Sequence, residues 1–179
     1  MSGLPDAEWV FGYGSLMWNP GFPFTEQRAA TLTGYHRAFC MISHHHRGTR
    51  DVPGLVLGLD RGGQCDGVAY RVAPAEWAAT VTYLNERELV GYAYRPTVLE
   101  VTTPAGAVRA FTYVADPDHP NYAGRLAAEA AAAMIREARG IGGRNRDYLA
   151  DLVAKLDAMG GADAALRALL GLVAADGGK

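Results

Sequence analysis

LVLGLDRGGQCDGVAYRV, residues 55–72, is the stretch on which the fold turns. Leu55 to Leu59 is a short apolar run, Asp60-Arg61-Gly62-Gly63 carries turn chemistry, and Val68, Tyr70 and Val72 then alternate as one face of a strand does. The segment reads as a β-hairpin. Directly after it Pro74, a residue tolerated in a first helical turn, opens a helix that runs toward Gly91, which can adopt a left-handed cap. Two strands followed by a helix argue against alternating βαβ units. Outward on either side the same chemistry recurs: Trp9 to Tyr13 forms an opening strand, and Thr97–Thr102 and Val108–Val114 pair through Pro104 and Gly106. From Leu126 the period becomes helical, first in the Ala-rich segment to Ala138, then at Leu149, Leu152, Val153 and Leu156, then at Leu166, Leu169, Leu170 and Val173. Gly140–Gly143 and Gly160-Gly161 separate these helices. A strand-rich first two thirds and a helical last third place the chain in the α+β class.

The 179 residues suffice for one domain with a continuous core, expected to centre on residues 9–157 with a helical extension over 162–175. At 49% hydrophobic and 20% charged residues the composition is that of a folded globular protein. The net charge is -2 and the seventeen basic residues are scattered, so no footprint for nucleic acid exists. Cys40 and Cys65, each among strand-forming neighbours, read as buried free thiols of a reducing compartment. Neither a targeting segment nor a membrane span is legible, and a cytoplasmic monomer is expected.

Four features invite a chemical reading. Phe11-Gly12-Tyr13-Gly14-Ser15-Leu16 sets two glycines and a serine at a strand end, where backbone amides approach an anion without side chains intervening. It is not the dinucleotide fingerprint, since Met17 replaces the third glycine, and no lysine makes it a phosphate loop. A glycine-rich strand end leading to the Asn19-Pro20-Gly21 turn is the structural alternative. Glu88 stands four residues after Leu84 and eleven after Trp77, on the apolar stripe of the helix that begins at Pro74. There burial and the negative helix terminus both favour the neutral carboxyl, as a proton acceptor requires. An ion pair with Arg95 or another arginine is the competing account. Of His44-His45-His46, only the first and third could readily share an ion on an extended segment, and no third ligand is evident, so no metal is expected. Arg47, within His46-Arg47-Gly48-Thr49, is a planar donor suited to a carboxylate.

Together these segments resemble the ChaC-type glutathione-specific γ-glutamylcyclotransferases, from Trp9 to about Leu156. The resemblance is carried by Trp9–Leu16 with Trp18, by His46–Thr49 with Pro53-Gly54, and by Cys65–Arg71. It continues through Tyr83-Leu84, Arg87-Glu88 and Gly91-Tyr92, Pro120-Asn121-Tyr122 with Gly124, and Gly143-Arg144-Asn145 with Tyr148-Leu149. It implies a small mixed β-barrel-like sheet flanked by helices, a substrate loop over Val10, Phe11, Gly12, Tyr13, Gly14 and Ser15, and a catalytic glutamate at Glu88. It further implies cleavage of glutathione to 5-oxoproline and Cys-Gly with no cofactor. The chain departs from the family at His45, where an acidic residue often precedes the His-Arg-Gly run. Other γ-glutamyl amides as substrates, a metal-assisted amidohydrolase using the histidines, and a non-catalytic binding module remain alternatives at this stage.

Overall fold

A computed structural model of the chain describes residues 3–89, 92–161 and 163–175. These residues pack as two compact units, one of residues 3–37, 59–89 and 94–115, the other of residues 38–58, 92–93 and 116–175.

The strands form a closed five-stranded barrel in the order β1-β3-β2-β4-β5, most of it in the first unit, with β1 at Trp9–Gly12, β2 at Glu26–Ser43, β3 at Gly54–Arg71, β4 at Tyr94–Thr103 and β5 at Gly106–Ala115. Antiparallel to β3 (Val10 opposite Tyr70) and parallel to β5 (Val10 opposite Phe111), β1 lies buried along its whole length. The expected second hairpin is present: β4 and β5 pair from Tyr94–Ala115 to Thr103–Gly106, turning at Pro104-Ala105. The helix α1 spans Pro74–Glu88 and is capped at Leu89, whose N–H donates to Asn85 O; the expected cap, Gly91, lies outside the described residues. Its Trp77, Val81 and Leu84 join Val10, Leu16, Phe22, Tyr70, Phe111 and Tyr113 in one apolar cluster. The α1 helix is therefore fixed against the barrel by the stripe its 3.6-residue period creates.

Residues 55–72 are not a hairpin. Leu55 to Arg71 lie within the single 18-residue strand β3, with Val72 just past its end, and Gly62 and Gly63, at φ 106° and 69°, kink that strand instead of reversing it. Consecutive glycines at positive φ serve a turn or a bulge equally well; here β3 runs on through both, and the Gly62 carbonyl meets the His36 side chain of β2 at Nδ1, 2.9 Å away. The long strand β2 has no counterpart in the sequence-based expectation.

In the second unit α2 (Ala128–Glu137), α3 (Asn145–Ala158) and α4 (Ala164–Ala175) pack on one another. The predicted faces are the buried ones, Leu149, Leu152, Val153 and Leu156 on α3 and Leu166, Leu169 and Val173 on α4, with Leu170 half-buried. Gly140–Gly143 is a small ribbon between β6 (Arg139–Gly140) and β7 (Gly143–Arg144). Asn145 is fully buried and imitates a neighbouring strand: Oδ1 accepts from Leu55 N at 2.8 Å and Nδ2 donates to Leu55 O at 2.7 Å. Asn145→Ala orphans both backbone groups and is expected to lower the unfolding free energy by about 2 kcal/mol or more, measured by urea titration.

Candidate functional site

The first strand ends where two glycines allow very close packing. A Cβ at Gly12 would stand 2.8 Å from Leu16 Cβ, and one at Gly67 would stand 2.7 Å from the Phe11 ring, so the chain leaves β1 tight against both itself and β3. After Gly14 it makes one 3-10 turn over Ser15–Met17, closed by Met17 N to Gly14 O at 2.9 Å. The first amides of such a turn have no internal acceptor.

Four side chains from four elements fix this loop. Thr112 Oγ1 donates to Phe11 O at 3.0 Å, and Arg37 Nε donates to Tyr13 O at 2.6 Å. The buried Tyr70 hydroxyl lies 2.8 and 2.9 Å from the Leu16 and Met17 carbonyls, and burial pushes its phenol pKa up. From α1, Arg87 Nη2 donates to Ser15 Oγ at 2.7 Å, while Nη1 reaches Asn19 O and the Tyr83 hydroxyl, both at 2.9 Å, and Pro20 O at 3.3 Å. One guanidinium thus ties the helix end to the loop.

Glu88 follows Arg87 and is half-buried at the end of α1. Burial raises its carboxyl pKa above the ordinary glutamate value; the Arg87 charge opposes that rise. The opposition is the smaller influence, because Arg87 Nε stands 3.8 Å from Glu88 Oε1 and the other guanidinium nitrogens are engaged elsewhere. The ion-pair account therefore holds only weakly: among the described residues the cation within 4 Å of Glu88 is Arg87, not Arg95. One turn back on the same helix, Asn85 Oδ1 accepts from the buried Tyr113 hydroxyl at 2.6 Å. Burial raises the Tyr113 phenol strongly, and the Glu88 charge raises it further, so these three side chains share one low-dielectric corner.

Of the predicted loop residues, Val10, Phe11, Gly12 and Tyr13 are buried, Gly14 is half-buried and Ser15 is exposed. The Val10 side chain fills core, Phe11 is wholly enclosed, and the accessible chemistry begins at Gly14. Arg37, Tyr70 and Tyr113 carry no motif that marks them individually. Arg87 stood only as the neighbour of Glu88.

The second unit holds the remaining candidates. The His45 and His46 carbonyls accept from Ile141 N and Gly142 N at 2.9 and 2.8 Å, so this segment braces the glycine ribbon while its side chains stay exposed. His46 stacks on Tyr92 at 5.9 Å; the partial loss of hydration that this largely exposed ring still undergoes, then the His45 and Arg47 charges, lower its pKa. Among the described residues no three His, Cys, Asp or Glu side chains gather as metal ligands. Arg47 lies over the Tyr148 ring at 5.2 Å and donates to Arg144 O at 3.3 Å. Gly48 and Gly54 pack backbone on backbone there, which accounts for both glycines sterically. Cys40, and Cys65 in the first unit, are buried and joined in no disulfide, as expected. No helix among the described residues is long and apolar enough to cross a membrane.

Residues 8–176 match the family model described as ChaC-like protein. The Escherichia coli glutathione-specific γ-glutamylcyclotransferase is 41% identical over 163 residues, covering 90% of this chain and 71% of that one. The human glutathione-specific γ-glutamylcyclotransferase 1 is 40% identical, covering 82% and 68%. Among solved structures, the yeast γ-glutamylcyclotransferase specific to glutathione superposes with a TM-score of 0.82 at 25% identity, covering 96% of this chain and 99% of that one.

Proposed function

The chain belongs to the ChaC-like family, and from that premise we propose that it is a glutathione-specific γ-glutamylcyclotransferase in which Glu88 moves the protons and the loop from Val10 to Ser15 holds the γ-glutamyl end. The observation that carries the assignment of the base is a half-buried carboxylate with a raised pKa, one residue from the arginine that grips the loop.

The reaction needs no enzyme nucleophile. The substrate's α-amine attacks its own γ-amide carbonyl, a C–N bond closes the five-membered lactam, and the amide C–N bond to cysteine breaks. At neutral pH that amine is an ammonium, so Glu88 takes its proton before attack and returns one to the departing nitrogen. A carboxyl with a raised pKa suits both transfers. Folding the arm into attacking geometry can supply roughly 7 to 11 kcal/mol of the barrier, and a braced loop that grips the α-carboxylate is the means of doing so. The first amides of the turn at Ser15, which have no acceptor within it, are donors that an anion can use.

The pH dependence follows from the direction of the Glu88 shift. The base is inactive when protonated, and its pKa is raised, so kcat/KM should fall as pH drops, with a midpoint above the ordinary glutamate range. A midpoint at or below that range in a pH–rate profile would remove Glu88 as the buried base. The reading as a whole is tested by competition: chelator-treated protein offered glutathione and γ-glutamyl dipeptides together should consume glutathione first. Equal consumption would widen the substrate class, and sensitivity to chelator would favour a metal-assisted amidohydrolase. We further take the protein to act in the cytoplasm as a monomer; a mass by light scattering of twice the chain would refute the second point.

A further inference from the structure

Arg37 is a buried cation that the mechanism above does not use. It is 7% exposed and lies on β2. Its guanidinium donates to Tyr13 O at 2.6 Å, to the Asp66 carbonyl and to Met17 Sδ at 3.5 Å. Among the described residues no carboxylate pairs with it; the Asp66 side chain accepts instead from Thr31 Oγ1 at 2.7 Å. An arginine met by two carbonyls and a thioether, and by no carboxylate, has its positive charge uncompensated, and burying such a charge is costly unless something repays it.

The position of the charge indicates what does. A trans peptide directs its C=O and N–H to opposite sides. With the Tyr13 carbonyl held toward Arg37, the N–H of the same peptide, that of Gly14, is directed to the other side of the loop, where side-chain exposure begins. A charge-assisted bond at the carbonyl also polarises the peptide and strengthens its N–H as a donor. We propose that Arg37 is the positioning residue of the anion site: by pinning the Tyr13–Gly14 peptide and charging it from behind, it selects substrates that carry a free α-carboxylate on the γ-glutamyl group. The proposal rests on the loop assignment made above and adds the residue that sets its charge preference.

The test compares glutathione with its analogue in which the γ-glutamyl α-carboxylate is a carboxamide; both keep the α-amine and can cyclise. The wild type should prefer the acid in kcat/KM. Arg37→Gln should cut that preference about 10- to 100-fold, mostly through KM for the acid, whereas Arg37→Lys should keep the preference within a few-fold while both substrates slow. A brace without electrostatic effect would lower both substrates alike and leave the ratio unchanged in Arg37→Gln, which overturns the proposal. Should that variant not fold, the other arms still decide: a wild type indifferent to the carboxylate, or a folded Arg37→Lys that loses the preference, refutes it. Calorimetric titration with 5-oxoproline and its carboxamide reads the same contrast without turnover. A wild type that cleaves glutathione but binds both equally overturns the role of Arg37 alone. One that binds the acid over the amide yet leaves glutathione whole overturns the reaction and not the anion site.

Discussion

Glu88→Gln should cut turnover by orders of magnitude and yet make the protein more stable at neutral pH. The amide keeps the shape of the side chain and cannot accept the ammonium proton, so the loss in kcat is expected at 10²- to 10⁴-fold, on the order of a general base's contribution. The stability effect follows from linkage. The folded-state pKa of Glu88 is raised, so the folded chain binds the proton more tightly than the unfolded one does. Its contribution is fully present below the unfolded glutamate pKa and is lost as pH rises through the folded value. At neutral pH the wild type therefore bears the cost of a half-buried carboxylate that the glutamine variant lacks; the difference should shrink toward zero on acidification. Thermal melts of both proteins at pH 4 and pH 7.5, beside a product assay, measure both halves. A folded variant with wild-type turnover would remove Glu88 from the chemistry, and one less stable at neutral pH than at acid pH, relative to wild type, would contradict the burial argument.

Arg87→Met should lower kcat/KM by about 10²-fold while leaving the Glu88 side chain in place. Four contacts disappear at once, to Ser15 Oγ, Asn19 O, Pro20 O and the Tyr83 hydroxyl, and with them the tether between the loop and the end of α1. Misplacement of reacting groups by about 1 Å is enough for a loss of this size. The same change removes the charge that holds the Glu88 pKa down, so the acid limb of the profile should move to higher pH. Arg87→Lys keeps the charge but not the fork, and should shift the limb less while still slowing turnover. Unchanged kcat/KM with an unmoved limb in Arg87→Met would show that the tether has no part in the reaction.

The helices were legible because their signals are local. The stripe of Trp77, Val81 and Leu84 turns Glu88 inward by geometry alone, and the faces on α3 and α4 followed the same rule. The strands were harder. In β2 the buried positions are Ala30 and Leu32 before Gly34 and Arg37, Phe39, Met41 and Ser43 after it, with Cys40 buried besides, so the main inward face changes parity around a glycine with φ 97°. Alternation read across that point cancels, which hid both the strand and its buried arginine. In β3 the same ambiguity made a kink look like a turn. Motif residues with a purely spatial reason, such as Asn145 and the Gly48–Gly54 pair, were matched by resemblance but explained only by packing.

Intramolecular lactam formation is the central claim, and isotope content of the product tests it most directly. Glutathione is incubated with the protein in H₂¹⁸O and the products are weighed by mass spectrometry. Cyclisation consumes no water, so 5-oxoproline and Cys-Gly should appear in equal amounts with no ¹⁸O in either; free glutamate carrying ¹⁸O, or intact glutathione, would contradict it.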